Sequence, residues 1–177
     1  MPRAITDRPS PAEHAPYYQT YLDLVPQGDV LQTLAEQVST TRAFLGGIGE
    51  ERAGHRYAPG KWSIREVVGH LIDTERIFAY RALRFGRGDP TPLPGFEQDD
   101  YVREGGFDRR SLADLAAELA EVRRASVALF RGLPAGALDS GGIASGREIT
   151  VRCLPVIIAG HERHHVGVIR ERYLKGA

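Results

Sequence analysis

The sequence predicts an all-α fold: a four-helix bundle with a long crossover loop. Three observations carry this. Four segments repeat apolar residues at alternating steps of three and four, the pattern of a helix with one buried stripe. No segment alternates with period two for long enough to make a confident strand. The connection between the second and third segments, Gly86 to Phe107, is long and carries Pro90, Pro92, Pro94 and Gly95. A connection of that length is a crossover or a functional lid, not a tight hairpin between neighbouring helices.

Taken in order, residues 1–29 are rich in proline and aromatics (Pro9, Pro11, Pro16, Tyr17, Tyr18, Tyr21, Pro26) and read as an extended arm laid over the domain. The first helix is expected from about Val30 to Ile48, on Leu31, Leu34, Val38, Thr41, Leu45 and Ile48, with Gly46-Gly47 weakening its end. The second opens at Ser63, which makes a Ser-x-x-Glu capping box with Glu66. Its seam is Ile64, Val68, Leu71, Glu75, Phe78, Ala82 and Phe85. The third follows Asp108 or Ser111 as N-cap, with Leu112, Leu115, Leu119, Val122, Ser126, Leu129 and Leu133 as its seam. The fourth starts near Thr150 and runs Val151, Leu154, Ile158, His161, His165, Val168 and Arg172. Pro155 falls about a turn past that start and is expected to kink the helix, because proline removes one ladder bond. Four seams of period about 3.5 suit left-handed, knobs-into-holes packing.

Composition narrows the class. A chain of 177 residues with 42% hydrophobic and 26% charged residues is long enough to bury a core as one domain. One cysteine, Cys153, excludes a disulfide scaffold. No apolar run approaches the ~20 residues of a membrane helix, and residues 1–26 hold no signal-peptide stretch, so the expected compartment is the cytoplasm. Lys plus Arg and Asp plus Glu are each 23. With acids interleaved among the bases, nucleic-acid binding by phosphate neutralisation is not expected.

The seams carry the chemistry. Core seam positions take Leu, Ile, Val or Phe, yet the fourth helix places His161 and His165 on two successive seam positions. They stand one turn apart and about 40° apart around the axis. Two buried imidazoles cost desolvation and repel when charged; a divalent ion resolves both problems. The string His161-Glu162-Arg163-His164-His165 also fits H-E-x-x-H, but a zincin needs a third ligand downstream, and Val168 stands where the extended motif needs glycine. A third ligand must come from another helix. His70, Glu75, His55 and His14 are the candidates, and periodicity alone slightly favours Glu75, which interrupts the second seam. His164 reads as an edge residue. Thr41 and Ser126 are small polar seam positions that leave room beside an ion or hydrogen-bond locally. Cys153 reads as packing.

These residues resemble the DinB-like (YfiT-like) superfamily of metal-dependent enzymes, over about Val30 to Leu174. The carriers are Tyr57-Ala-Pro-Gly-Lys-Trp62-Ser-Ile-Arg-Glu66 leading into Gly69-His70-Leu71-Ile-Asp73-Thr-Glu75-Arg76, the loop Arg87 to Tyr101, and Ile157-Ile-Ala-Gly160-His161-Glu-Arg-His-His165. The resemblance implies a divalent ion held by three histidines, one from the second helix and two from H-x-x-x-H in the fourth. Matched residue by residue these are His70, His161 and His165, with Glu75 a catalytic candidate near the ion. It implies zinc or nickel, with manganese a third choice, and a homodimer.

Three neutral histidines leave open positions on the ion, the pattern of a catalytic site. Characterised proteins that this chain resembles include transferases and isomerases using small thiols. The first expectation is therefore a metal-dependent transferase in which a low-molecular-weight thiol attacks an electrophilic small molecule, with Arg65, Arg81 or Arg84 binding the thiol's carboxylates. The second is a metal-dependent hydrolase with water as nucleophile. The third is a non-enzymatic metal-binding stress-response protein.

Overall fold

The structure, a computed structural model, describes residues 4–134 and 136–175. The first three residues of the expected arm and the last two of the expected domain lie outside the described residues. Four long helices dominate: α2 (Val30–Gly46), α4 (Ile64–Gly86), α6 (Leu112–Arg131) and α7 (Cys153–Val168). Shorter helical turns are α1 (Gln19–Leu22), α3 (Glu50–Ala53) and α5 (Gln98–Gly105). Among the described residues no helix is long and apolar enough to cross a membrane.

The helix starts follow local chemistry. Asp29 accepts from the Leu31 amide at 3.0 Å and also from the amide of Ile5 at 3.0 Å, so one carboxylate caps α2 and anchors the arm. Ser63 and Glu66 form the expected capping box on α4. Ser111, not Asp108, caps α6 by accepting from the Asp114 amide at 3.1 Å.

Helices α2 and α4 each pack on both α6 and α7. The sequence-adjacent pairs α2/α4 and α6/α7 therefore face each other across the bundle, which demands crossover connections. The connections from α2 to α4 and from α6 to α7 make those crossings, whereas the long 86–107 loop joins α4 to its neighbour α6. It carries α5 and is pinned midway, where Leu93 pairs with Ala144 and its amide donates to Ile143 O at 2.8 Å.

The apolar interior is divided in two. One core gathers Leu31, Leu34, Phe78, Phe85, Phe130 and Leu154; the other gathers Leu45, Ile64, Leu71, Leu115, Leu119 and Ile169. On every long helix the residues between the two cores are polar and buried: Gln37 and Thr41, His70, Thr74 and Glu75, Arg123 and Ser126, His161 and Glu162. A polar waist crosses the bundle.

Several expectations are corrected. A two-stranded hairpin, β1 (Gly141–Ala144) with β2 (Arg147–Thr150), precedes the last helix. Its two-residue turn, Ser145-Gly146, has φ of 54° and 73°, the left-handed pair that matches strand twist. The fourth helix starts at Cys153 rather than near Thr150. Pro155 then lies in the first turn, where its missing N–H would have had no intrahelical partner, and no kink is required. Gln37 rather than Val38 takes the buried stripe of α2, and Val127 and Phe130 face inward on α6 in place of Leu129. After Val168 the backbone widens into a π turn, Ile169–Tyr173. This shift buries Ile169 and Tyr173 and leaves Arg172 exposed.

Candidate metal centre

Packing of α4 on α7 brings His70 against His161 and His165. His161 Nε2 lies 3.1 Å from His70 Nε2 and 3.1 Å from His165 Nε2, and one ligand nitrogen of each histidine lies within 4.8 Å of the others. His70 and His161 are buried and His165 half-buried. The Thr74 hydroxyl stands 3.4 Å from His70 Nδ1 and helps orient that ring. The Trp62 ring covers His70 at 4.8 Å and Tyr21 from the arm covers His161 at 5.3 Å, centroid to centroid.

Electrostatics keep the three rings neutral. Burial pushes His70 down to about 4, against an opposing pull from Asp99. Burial, with His70 and His164 nearby, pushes His165 down to about 3. His161 is held well below its ordinary value by burial and its three histidine neighbours. Neutral imidazoles are the ligand form. One Nε2 meeting two others has a single lone pair or a single hydrogen to offer, so hydrogen bonding cannot satisfy all three. A cation at their convergence can. Imidazole nitrogens about 2.0–2.1 Å from one ion stand roughly 3 Å apart, so the residues fit a divalent ion.

Beneath the histidines lies a buried ion network. Arg123 Nε donates to Glu75 Oε1 at 2.9 Å and Nη2 to Glu75 Oε2 at 2.8 Å and Glu162 Oε2 at 2.6 Å, while Nη1 reaches Leu34 O at 3.1 Å. Gln37 Nε2 donates to Glu162 Oε2 at 2.7 Å and Ala159 O at 3.0 Å. Burial pulls the Arg123 guanidinium down, but the two carboxylates more than offset it and hold it above its ordinary value. Glu75 thus lies beside His161 with both oxygens bound by Arg123.

The remaining candidates disperse. His55 is exposed, and His164, also exposed, meets the His165 ring edge to face. His14 sits in the arm with its Nδ1 2.9 Å from Ala15 O. Ser126 donates back to Val122 O at 3.0 Å, and Thr41 lines an outer groove between α2 and α7. Arg65 pairs with Glu50 and Arg84 with Asp89, whereas Arg81 faces the site. Cys153 is buried and burial raises its thiol pKa.

Two cavities flank the histidines. One, about 380 Å³, is lined by Lys61, Trp62, Gln98, Asp99 and His165. The other, about 320 Å³, is lined by Tyr18, Tyr21, Phe78, Arg81 and Phe96 together with His70 and His161. Asp99, at the head of α5, accepts from Trp62 Nε1 at 3.1 Å. Sequence reasoning did not single out Asp99, Arg123 or Glu162. For Arg123 the available signal was the seam carboxylate Glu75, which required a cationic partner.

The fold and site together define a class: helical-bundle proteins whose α4 and α7 converge three neutral histidines able to hold a divalent ion. The chain belongs to the DinB superfamily, whose profile matches residues 33–169. It is 24% identical over 156 residues to an Oceanobacillus iheyensis protein named "Putative metal-dependent hydrolase OB0413", covering 82% of this chain and 88% of that one. Its fold is that of Bacillus subtilis YfiT, described as "a probable metal-dependent hydrolase with an unusual four-helix bundle topology". That match has TM-score 0.69 and 17% identity, over 93% of this chain and 90% of the other.

Proposed function

We propose that this chain is a metal-dependent hydrolase of small molecules, with His70, His161 and His165 as the metal ligands. The observation that carries the reading is the convergence of three neutral Nε2 atoms at 3.1 Å contacts between two cavities. The hydrolase names of the O. iheyensis and B. subtilis proteins support it. Zinc or nickel is the ion the family resemblance implies, and an all-imidazole donor set suits either better than manganese. When bound, such an ion supplies Lewis acidity toward a carbonyl group and toward water.

The chain's own residues supply the rest. Burial keeps the three rings unprotonated, and Trp62 and Tyr21 shield His70 and His161 from bulk water. Asp99, steadied by Trp62 Nε1–H, is placed in the cavity beside His165 to accept a proton from attacking water. Glu75 enters through Arg123, fixing α4 against α6 beside His161, and acts as a positioning residue. The thiol-transfer reading uses the same ligands and differs only in the nucleophile.

Elemental mass spectrometry of tag-free protein tests the metal site. About one divalent ion per chain is expected, lost in His161→Ala/His165→Ala; a variant that keeps its ion ends the ligand assignment. Ester and amide hydrolysis is then assayed with and without added low-molecular-weight thiols. Chelator-sensitive hydrolysis without thiol supports the hydrolase, and turnover that requires thiol replaces it with the transferase.

A further inference from the structure

Arg81 is 2% exposed. Its Nη2 donates to Ser145 Oγ at 2.8 Å and Pro94 O at 3.3 Å, both neutral acceptors on exposed loop residues. The guanidinium carbon lies 5.6 Å from the centroid of the Phe78 ring. It is also close enough to the Tyr18 hydroxyl to pull that pKa down against the larger upward push of burial. Among the described residues no carboxylate lies within 4.0 Å of its nitrogens, in contrast to Arg123. A buried cation without a counter-charge is costly, and this one lines the cavity that reaches His70 and His161. We infer that Arg81 receives the carboxylate of a small organic-acid substrate. The inference rests on the hydrolase reading for where the reacting bond lies.

The stripe of α4 sets the reach. His70, Thr74, Phe78 and Arg81 share one face, with about 16 Å of helix rise from the first to the last. The long arginine side chain leans back toward the N-terminal histidine end. Phe78 spans the interval: its centroid is 6.4 Å from that of His161 and 5.6 Å from the Arg81 guanidinium carbon. A molecule lying along Phe78, with Tyr18 and Phe96 as further aromatic walls, has its anion at Arg81 and its other end at the histidines. A carboxylate fits better than a phosphate. Arg81 is the one cation among the lining residues, and Glu97 on the cavity rim repels the more highly charged anion.

Phenylacetate, its neutral isostere phenylacetamide and inorganic phosphate are the probes, titrated by calorimetry into the full-length protein as purified and again after metal removal. Phenylacetate is expected to bind about tenfold more tightly than phenylacetamide in both forms, as a charge-assisted hydrogen bond allows. Arg81→Gln is expected to erase that preference and Arg81→Lys to retain most of it. Equal binding of acid and amide by the unmutated protein overturns the inference without recourse to any variant. Acid binding that vanishes with the metal yet persists in Arg81→Gln also overturns it, while leaving the metal reading intact. Phosphate binding at Arg81 without phenylacetate binding overturns the carboxylate assignment. If Arg81-dependent binding of the acid is found in protein that never takes up metal, the subsite stands and the hydrolase reading falls.

Discussion

Arg123 ties the four long helices together. It lies on α6, holds Glu75 of α4 in a two-pronged pair, bonds Glu162 of α7 and reaches the Leu34 carbonyl of α2. Such a pair adds little over well-packed apolar residues, yet removing one member strands the others. Arg123→Met is therefore expected to destabilise the protein by about 3–5 kcal/mol in urea denaturation. Adding Glu75→Gln and Glu162→Gln should recover more than half of that loss, since no bare carboxylate then remains. No recovery in the triple variant would show that Arg123 contributes by packing and not by charge. Glu75→Gln alone should leave metal content unchanged while lowering turnover; unaltered turnover removes Glu75 from any positioning role.

At the scale of elements, the arm and α7 meet without space for a methyl group. A Cβ built on Gly160 would fall 2.1 Å from the Tyr21 carbonyl oxygen, and that is backbone, which cannot swing aside. Gly160→Ala gains up to about 1 kcal/mol of helix propensity, but displacing the arm costs more, about 1–3 kcal/mol as for other overpacked sites. The expected outcome is a lowered melting temperature with faster proteolysis of the arm near Tyr21. Gly167→Ala in the same helix, where a Cβ meets nothing within 4 Å, is the control and should be neutral or stabilising. Equal behaviour of the two variants would sink the arm–helix argument.

These elements also show what is legible in sequence. The four seams could be read because a buried stripe must recur at helical spacing, and Ser63 announces its helix through Glu66. The hairpin could not, because Gly141-Gly-Ile-Ala and Arg147-Glu-Ile-Thr are each four residues long with little alternation. Pro155 misled because its meaning depends on where the helix begins. His161 and His165 were visible as imidazoles on an apolar seam. His70 was not separable from Glu75 by spacing, and the resemblance selected it. Arg123 and Glu162 each follow a seam residue directly (Val122, His161), so a one-stripe reading places them outside. The waist is buried on more than one side.

For the whole molecule, the polar waist couples stability to acidity and to metal. The folded state lowers His70 from 6.5 to about 4 and His165 to about 3, whereas the unfolded chain titrates both near 6.5. Between those limits the unfolded state binds more protons, so metal-free stability rises with pH. The contribution is complete above about pH 7 and is lost as pH falls through 6.5 toward 4. A histidine displaced as far as His70 accounts for about 3 kcal/mol. Metal-stripped protein should therefore melt progressively lower from pH 7 to pH 4. Bound metal adds stability as the logarithm of its free concentration over its dissociation constant. Because protons compete for the same nitrogens, the gap between loaded and stripped melting temperatures should narrow over the same range. Thermal denaturation of both forms at half-unit pH steps checks this. A stripped protein whose melting temperature is flat from pH 7 to 5 would mean that the three rings are not held neutral by burial, and that the waist does not set the acid limit of the fold.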